Sequence, residues 1–84
     1  MNQGSGYSVR LRSEAFDKAV RLAAFPSDYA LARAMKVNRS TVTRVRAGDL
    51  QPGPAFIGGA LKALEPMAFH DLFEVVQPSC GEGI

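Results

Sequence analysis

The chain has 84 residues and a net charge of +2, and 46% of its residues are hydrophobic. This length predicts one domain, which buries roughly 60% of the surface that the unfolded chain exposes. The sequence has no apolar run long enough to span a membrane and no charged-then-apolar leader, so we expect a cytoplasmic protein without membrane contacts. The single His (His70) and single Cys (Cys80) cannot build a Cys/His metal site, and one thiol is typical of a reducing compartment.

The first predicted element is a short strand. Residues 1–6 are polar and Gly-rich, and we expect them to be disordered. From Tyr7 to Arg12 apolar and polar residues alternate, which is the period of a strand with one buried face. Its apolar side would carry Tyr7, Val9 and Leu11.

A helix is predicted after the strand. Ser13 is expected to cap its N-terminus, and Pro26 is expected to end it. The apolar residues that share one face are Phe16, Ala19, Val20 and Ala23. This face should pack behind the two helices that follow.

Two further helices are predicted with only a short turn between them. Ser27 can accept a hydrogen bond from a backbone N–H, so the second helix should begin near Asp28. Its inward residues, at helical spacing, are Leu31, Ala32 and Met35. Asn38 can cap the third helix in the same way, which leaves Lys36 and Val37 to turn the chain. Helices joined so tightly must cross steeply.

The third helix is predicted to expose a polar patch. Val42 and Val45 should face the core, and this leaves four outward residues, Arg39, Ser40, Thr43 and Arg44. Arg can bond bidentately to guanine, and the hydroxyls of Ser and Thr can donate or accept at base edges. The N-terminus of a helix also favours phosphate through its free N–H groups and its dipole. The patch therefore predicts contacts in the major groove of DNA.

Positive charge is concentrated on the same segment. Between Tyr29 and Gly48 the chain has no acidic residue and carries the cations Arg33, Lys36, Arg39, Arg44 and Arg46. Residues 63–84 have no Lys or Arg and contain Glu65, Asp71, Glu74 and Glu82. This asymmetry would orient the molecule on an anionic partner. A basic run alone is equally typical of a solvated helix face, so the charge supports DNA binding only together with the turn and the caps.

A fourth helix is predicted to begin at Gly53 and Pro54, because Pro at the first helical position loses no hydrogen bond. Its buried residues should be Phe56, Ile57, Ala60, Leu61 and Leu64. Gly58 and Gly59 weaken this helix by roughly 1 kcal/mol each relative to Ala. Such glycines would permit a close contact between helices.

The last predicted elements are a short fifth helix at Phe69 to Phe73 and a strand at Glu74 to Val76. A lone strand leaves its backbone groups unsatisfied, so both terminal strands need partners. They pair either with each other in a small sheet or with the same strand of a second subunit, and the sequence leaves both arrangements open. Residues 77–84 are expected to form a disordered tail, on which Cys80 would be an idle thiol.

Residues 27–52 resemble the helix-turn-helix of Cro and phage-repressor-type (XRE family) transcriptional regulators. The most specific piece is RSTVTRVRAG at residues 39–48. The family typically continues with Gly, Pro and Ala-Leu, which are here Gly48, Pro52 and Ala63-Leu64, and the resemblance covers roughly residues 13–73. The turn departs from the family, which usually has Gly where this chain has Lys36. A non-Gly residue there costs about 1 kcal/mol, which a contact between Lys36 and phosphate could offset; otherwise the turn has a different shape.

The resemblance implies a mainly α fold, a five-helix Cro/repressor-like helix-turn-helix domain over residues 7–76. It also implies a sequence-specific regulator of transcription, expected to be a repressor, that binds a palindromic operator in double-stranded DNA as a homodimer. Arg39, Ser40, Thr43 and Arg44 would read the bases. The DNA backbone contacts would come from Ser27, Tyr29, Arg33, Lys36, Asn38, Thr41 and Arg46. No cofactor, metal or small-molecule ligand is expected, and the protein would be nucleoid-associated when bound.

The sequence also bears on three other classes of function. The sequence offers no nucleophile with a base and no paired carboxylates, so an enzyme is not expected. The main alternative is a protein-interaction module with a helix-turn-helix fold, such as an antitoxin-like or accessory subunit. It would need an exposed apolar patch formed by Phe69, Leu72, Phe73, Val75 and Val76. RNA binding ranks lower, because Tyr29 is the only aromatic residue in the basic segment.

Overall fold

The computed structural model describes residues 6–77, and in this range the chain is mainly helical with one small sheet. The elements in chain order are β1 (Ser8–Leu11), α1 (Ser13–Leu22), α2 (Asp28–Met35), α3 (Arg39–Ala47), α4 (Pro54–Ala63), α5 (Phe69–Leu72) and β2 (Phe73–Val76). Apart from Gly6 and Gln77, the ends that we predicted to be disordered lie outside the described residues, as does Cys80. Within residues 6–77 no helix combines the length and the apolar character needed to cross a bilayer.

The two strands pair with each other. β1 and β2 run antiparallel, with Ser8 opposite Val76 and Leu11 opposite Phe73. The structure thus realises the intrachain pairing, one of the two arrangements that the sequence left open. Leu11 and Phe73 are buried, whereas Tyr7 precedes the strand and is 72% exposed, so its predicted place on the apolar face was wrong.

A cross-strand ion pair covers the other face of this sheet. The guanidinium of Arg10 donates to Oε2 of Glu74 from Nε at 2.8 Å and from Nη2 at 2.5 Å. Arg12 Nη1 lies 3.7 Å from Oε1 of the same carboxylate. The hydrogen bond from Arg10, helped by the charges of both arginines, lowers the pKa of Glu74 below its ordinary value. Arg12 also donates from Nε to the Phe73 carbonyl at 3.2 Å, which ties the start of α1 to the sheet.

Both ends of α1 differ from the prediction. Arg12 occupies the N-cap position and no side chain caps the helix, so the predicted cap by Ser13 was wrong. The helix ends at Leu22, four residues before Pro26, because Ala24 adopts a left-handed conformation with φ of 64°. The early end leaves Ala23 exposed, whereas Phe16 is buried as expected.

The helix α4 begins as predicted, with Gly53 at the N-cap and Pro54 at the first position. Three of its expected apolar contacts are buried, Phe56, Ala60 and the following Leu64, whereas Ile57 and Leu61 are half-buried. The peptide bond between Glu65 and Pro66, after the helix, is cis. Within the helix, Gly59 lies against Met35 of α2. The predicted close helix contact is therefore made through one of the two glycines.

The core is built around a row of aromatic rings. The rings of Phe16 and Phe56 are stacked with centroids 5.8 Å apart, and Phe73 meets Phe56 edge-on at 6.2 Å. Phe69 is stacked on Phe73 at 5.3 Å. Because these four residues come from α1, α4, β2 and α5, the row joins both ends of the domain into one core.

Candidate nucleic-acid interface

The turn between α2 and α3 consists of residues 36–38. Ser27 caps α2 as predicted, since its hydroxyl accepts from the Ala30 N–H at 3.1 Å. The helix ends at Lys36, whose φ of 61° lies in the left-handed region. The N–H of Val37 donates to the carbonyl of Ala32 at 3.0 Å, and the N–H of Lys36 donates to the carbonyl of Arg33 at 3.2 Å. These two bonds are the pattern with which Gly usually ends a helix. Lys36 therefore takes the left-handed conformation that Gly usually supplies at the end of a helix.

Asn38 and Gly48 flank the third helix. Asn38 is the N-cap residue, but its side chain makes no capping bond, so the predicted capping role was wrong. Its carbonyl accepts from the N–H groups of Thr41 and Val42 instead. The two preceding N–H groups, of Arg39 and Ser40, are left at the helix start. Gly48, with φ of 87°, ends the helix by the same pair of bonds as Lys36 ends α2.

The helix α3 buries one side and exposes the other as predicted. Val42 is fully buried and Val45 is 4% exposed. The exposed residues of the predicted base-reading patch are Arg39, Ser40, Thr43 and Arg44. Together with Asp28 and Asn38 these four residues line a shallow recess, which we call the α3 recess. The structure thus brings the predicted base-reading residues together on one surface.

Arg46 lies in a different environment from the other cations. Its Nη1 donates to Asp28 Oδ1 at 2.5 Å and its Nη2 donates to Asp17 Oδ1 at 2.6 Å. Its guanidinium also lies over the ring of Phe16, 5.6 Å from the centroid. Arg46 therefore joins α3 to α1 and α2 by half-buried ion pairs, and the structure does not support its predicted contact with the DNA backbone. Sequence reasoning missed Asp17, which is 29 residues from Arg46 and has no local signal of this pairing.

Asp28 faces the recess from the start of α2. A carboxylate without a cation beside it would be repelled by an anionic partner. In the structure Arg46 neutralises it through Oδ1, while Oδ2 accepts a long hydrogen bond of 3.5 Å from the hydroxyl of Thr43. Asp28 is thus connected to the predicted base-reading patch, and no periodicity or spacing in the sequence indicated this contact.

The other residues predicted to contact the DNA backbone lie on α2, in the turn and early on α3. Ser27, Lys36 and Asn38 are exposed, and Thr41 is half-buried. Tyr29 is 55% exposed and its hydroxyl accepts from Arg33 Nη1 at 3.3 Å. Tyr29 and Arg33 are one helical turn apart on α2, and this spacing places their side chains next to each other on the helix surface.

Four cations of the basic segment remain available to an anionic partner. Among residues 6–77, no carboxylate lies within 4.0 Å of Arg33, Lys36, Arg39 or Arg44. The acidic groups of the C-terminal part have partners: Glu65 lies 3.8 Å from Lys62, and Asp71 accepts from the Ala68 N–H at 2.8 Å. Of the six Lys and Arg side chains without a carboxylate partner among residues 6–77, the four of the basic segment lie on α2, the turn and α3, and the other two, Lys18 and Arg21, lie on α1.

The apolar residues required by the protein-interaction alternative are mostly inside the core. Leu72 and Phe73 are fully buried, and Phe69 and Val76 are half-buried. Only Val75, at 60% exposed, lies largely in solvent. The patch on which that alternative depends is therefore not formed. In the described part of the chain there is also no group of three His, Cys, Asp or Glu side chains that could hold a metal ion.

Comparison of the chain with protein-family models, with curated proteins and with solved structures finds no match.

Proposed function

We propose that this protein is a sequence-specific regulator of transcription that binds double-stranded DNA through a Cro/repressor-like helix-turn-helix. The helix α3 would lie in the major groove. The observation that carries the proposal is the division of α3, which buries Val42 and Val45 and exposes four side chains able to bond to base edges. That helix follows α2 after a turn of only three residues.

The groups around α3 are suited to holding phosphates on either side of the groove. The N–H groups of Arg39 and Ser40 at the helix start can bind a phosphate oxygen. Lys36 in the turn and Arg33 on α2 are exposed cations without a carboxylate partner among the described residues. Such contacts fix the register of the protein, and the base contacts then select the sequence.

A homodimer on a palindromic operator fits the size of the reading surface. One recognition helix covers only a few base pairs, which is too few to select a site in a genome. A two-fold dimer would double the readout, with half-sites about one helical turn apart. We infer repression, because a dimer bound in this way would block access of polymerase to the DNA.

Selection of bound sequences from a pool of random DNA tests the proposal. We expect a palindromic motif whose half-sites are about one helical turn apart. Recovery of no enriched sequence would contradict sequence-specific binding. An enriched motif without two-fold symmetry would contradict the homodimer, but it would not contradict base reading by α3.

Two matched substitutions separate base reading from phosphate binding. Arg44→Ala should weaken binding to the selected site by about 1–3 kcal/mol and relax the preference at one base pair. Lys36→Ala removes the same charge and should weaken cognate and random DNA alike. Equal losses on both DNAs for Arg44→Ala, measured by titration at one salt concentration, would refute base reading by Arg44.

A further inference from the structure

The carboxylate of Asp28 lies beside the base-reading patch and is fixed there from behind. Its Oδ1 is bound by Arg46, which is itself bound by Asp17 and packed over the ring of Phe16. The side chain of Asp28 is 34% exposed, so it is neither deeply buried nor freely solvated. Its position is therefore set by α1 and α3 before any partner binds.

The second oxygen of Asp28 determines the polarity of a side chain on the reading surface. An ionised carboxylate can only accept hydrogen bonds, so in this long contact of 3.5 Å the Thr43 hydroxyl is the donor and its single proton points to Oδ2. The Thr43 oxygen then presents only lone pairs to a partner. A threonine that could otherwise donate or accept becomes an acceptor.

The major groove offers few groups that can donate to such an acceptor. Adenine N6 and cytosine N4 are donors, whereas guanine O6 and N7 and thymine O4 are acceptors. An acceptor backed by a carboxylate is matched to an amino group and is repelled by the keto bases. Arg39 and Arg44, which line the same recess, can satisfy neighbouring acceptors.

We propose that Asp28 is a specificity-determining positioning residue, which acts through Thr43 to select an exocyclic amino group, adenine N6 or cytosine N4, at one position of each half-site. This inference rests on the proposed DNA-binding function. It requires no direct contact between Asp28 and DNA, and it gives the carboxylate a role that neither its charge nor its position in the chain predicts.

The test is selection from random DNA with the full chain and three variants. Thr43→Val removes the hydroxyl and identifies the base position that Thr43 reads. At that position the unsubstituted protein should prefer adenine or cytosine by at least about fivefold, and the selected base distinguishes N6 from N4. Asp28→Asn introduces an amide that can donate to Thr43, which frees the hydroxyl proton, so guanine and thymine should become tolerated there.

Asp17→Asn is the matched control for Asp28→Asn. Both substitutions remove one negative charge and one partner of Arg46, but Asp17 does not contact Thr43. Asp17→Asn should therefore keep the motif unchanged, while thermal unfolding reports any loss of stability that the two variants share. A preference that changes equally in both variants would refute the positioning role.

The outcomes separate this inference from the function on which it rests. If the unsubstituted protein selects no motif, both proposals fail. If it selects a motif with guanine or thymine at the Thr43 position, or if Thr43→Val alters no position, the inference fails and the DNA-binding proposal stands. These outcomes can refute the inference even if Asp28→Asn does not fold.

Discussion

At the scale of single residues, three helices end with the same backbone conformation but with different side chains. Ala24, Lys36 and Gly48 have φ values of 64°, 61° and 87° at the ends of α1, α2 and α3. Only Gly adopts this conformation without strain, because its missing Cβ removes the clash. Ala24 and Lys36 therefore lower the free energy of unfolding. A contact with phosphate would give Lys36 a function that Ala24 cannot have.

Replacement of each residue by Gly separates these cases. Lys36→Gly and Ala24→Gly should each raise the free energy of unfolding by about 0.5–1 kcal/mol, since the strain removed exceeds the added entropy of the unfolded chain. Urea denaturation measures this gain. Only Lys36→Gly should weaken DNA binding, because it also removes the cation of the turn. Equal DNA affinity in the two variants would contradict the role of Lys36 as a phosphate anchor.

At the scale of elements, the packing of α4 on α2 depends on one of two adjacent glycines. A Cβ at Gly59 would overlap the carbonyl oxygen of Met35 and lie 2.9 Å from its Cβ, whereas a Cβ at Gly58 would meet nothing within 4 Å. The two residues have the same helix propensity. Their tertiary surroundings give them opposite expected effects.

Gly59→Ala should lower the free energy of unfolding by about 1–3 kcal/mol, because α2 and α4 must move apart. Gly58→Ala should raise it by up to about 1 kcal/mol through helix propensity alone. Chemical denaturation of the two variants measures both changes. A stabilising Gly59→Ala would show that α4 does not approach α2 as closely as described.

The sheet joins the ends of the domain, and its ion pair gives it a dependence on pH. Because the folded-state pKa of Glu74 is lowered from 4.5, its contribution to stability is present above pH 4.5 and is lost as the pH falls through the lowered value. Glu74→Gln should therefore be less stable than the unsubstituted protein at neutral pH, and the difference should vanish in acid. Denaturation of both proteins across this pH range checks the expectation.

Glu65→Gln is the charge control for this measurement. Glu65 is an exposed acid 3.8 Å from Lys62, a geometry that contributes little to stability. Its substitution should cause a smaller loss at neutral pH than Glu74→Gln. Equal losses would mean that net charge, not the cross-strand pair, produces the effect.

At the scale of the whole molecule, the net charge of +2 understates the positive charge available to an anionic partner such as the proposed DNA. Arg10, Arg12 and Arg46 lie in ion pairs with acidic groups, whereas Arg33, Lys36, Arg39 and Arg44 do not, as far as residues 6–77 show. Two further unpaired cations, Lys18 and Arg21, lie on α1, so most of the unpaired charge is on α2, the turn and α3. The attraction should therefore be local and oriented.

The dependence of binding on salt tests this orientation. Lys36→Gln should reduce the magnitude of the slope of log K against log salt by about 0.9 per subunit, the change for one phosphate contact. Lys62→Gln removes the same charge from α4, outside the basic segment, and should leave the slope unchanged. Equal changes in the slope for Lys36→Gln and Lys62→Gln would indicate that DNA is attracted by the overall positive charge and not by an oriented surface.

The sequence alone determined the helices of the candidate interface, because local rules govern where a helix begins and which of its residues face the core. Apolar spacing predicted the buried Val42 and Val45, Ser27 predicted the start of α2, and Pro54 predicted the start of α4. The four outward residues of α3 followed from the same spacing. Capping by Ser13 and Asn38 was predicted wrongly: Ser13 is the first residue of α1, one position beyond the N-cap, and Asn38 occupies the N-cap of α3 without a capping bond from its side chain.

Only the tertiary structure decided which residues, distant in the sequence, contact each other. It paired β1 with β2 inside one chain, committed Arg46 to Asp17 and Asp28, and brought Asp28 to Thr43. These contacts join residues from different elements, and their energies depend on distances that no periodicity encodes. A cation in the sequence is therefore a candidate for DNA until the fold shows which carboxylate lies beside it.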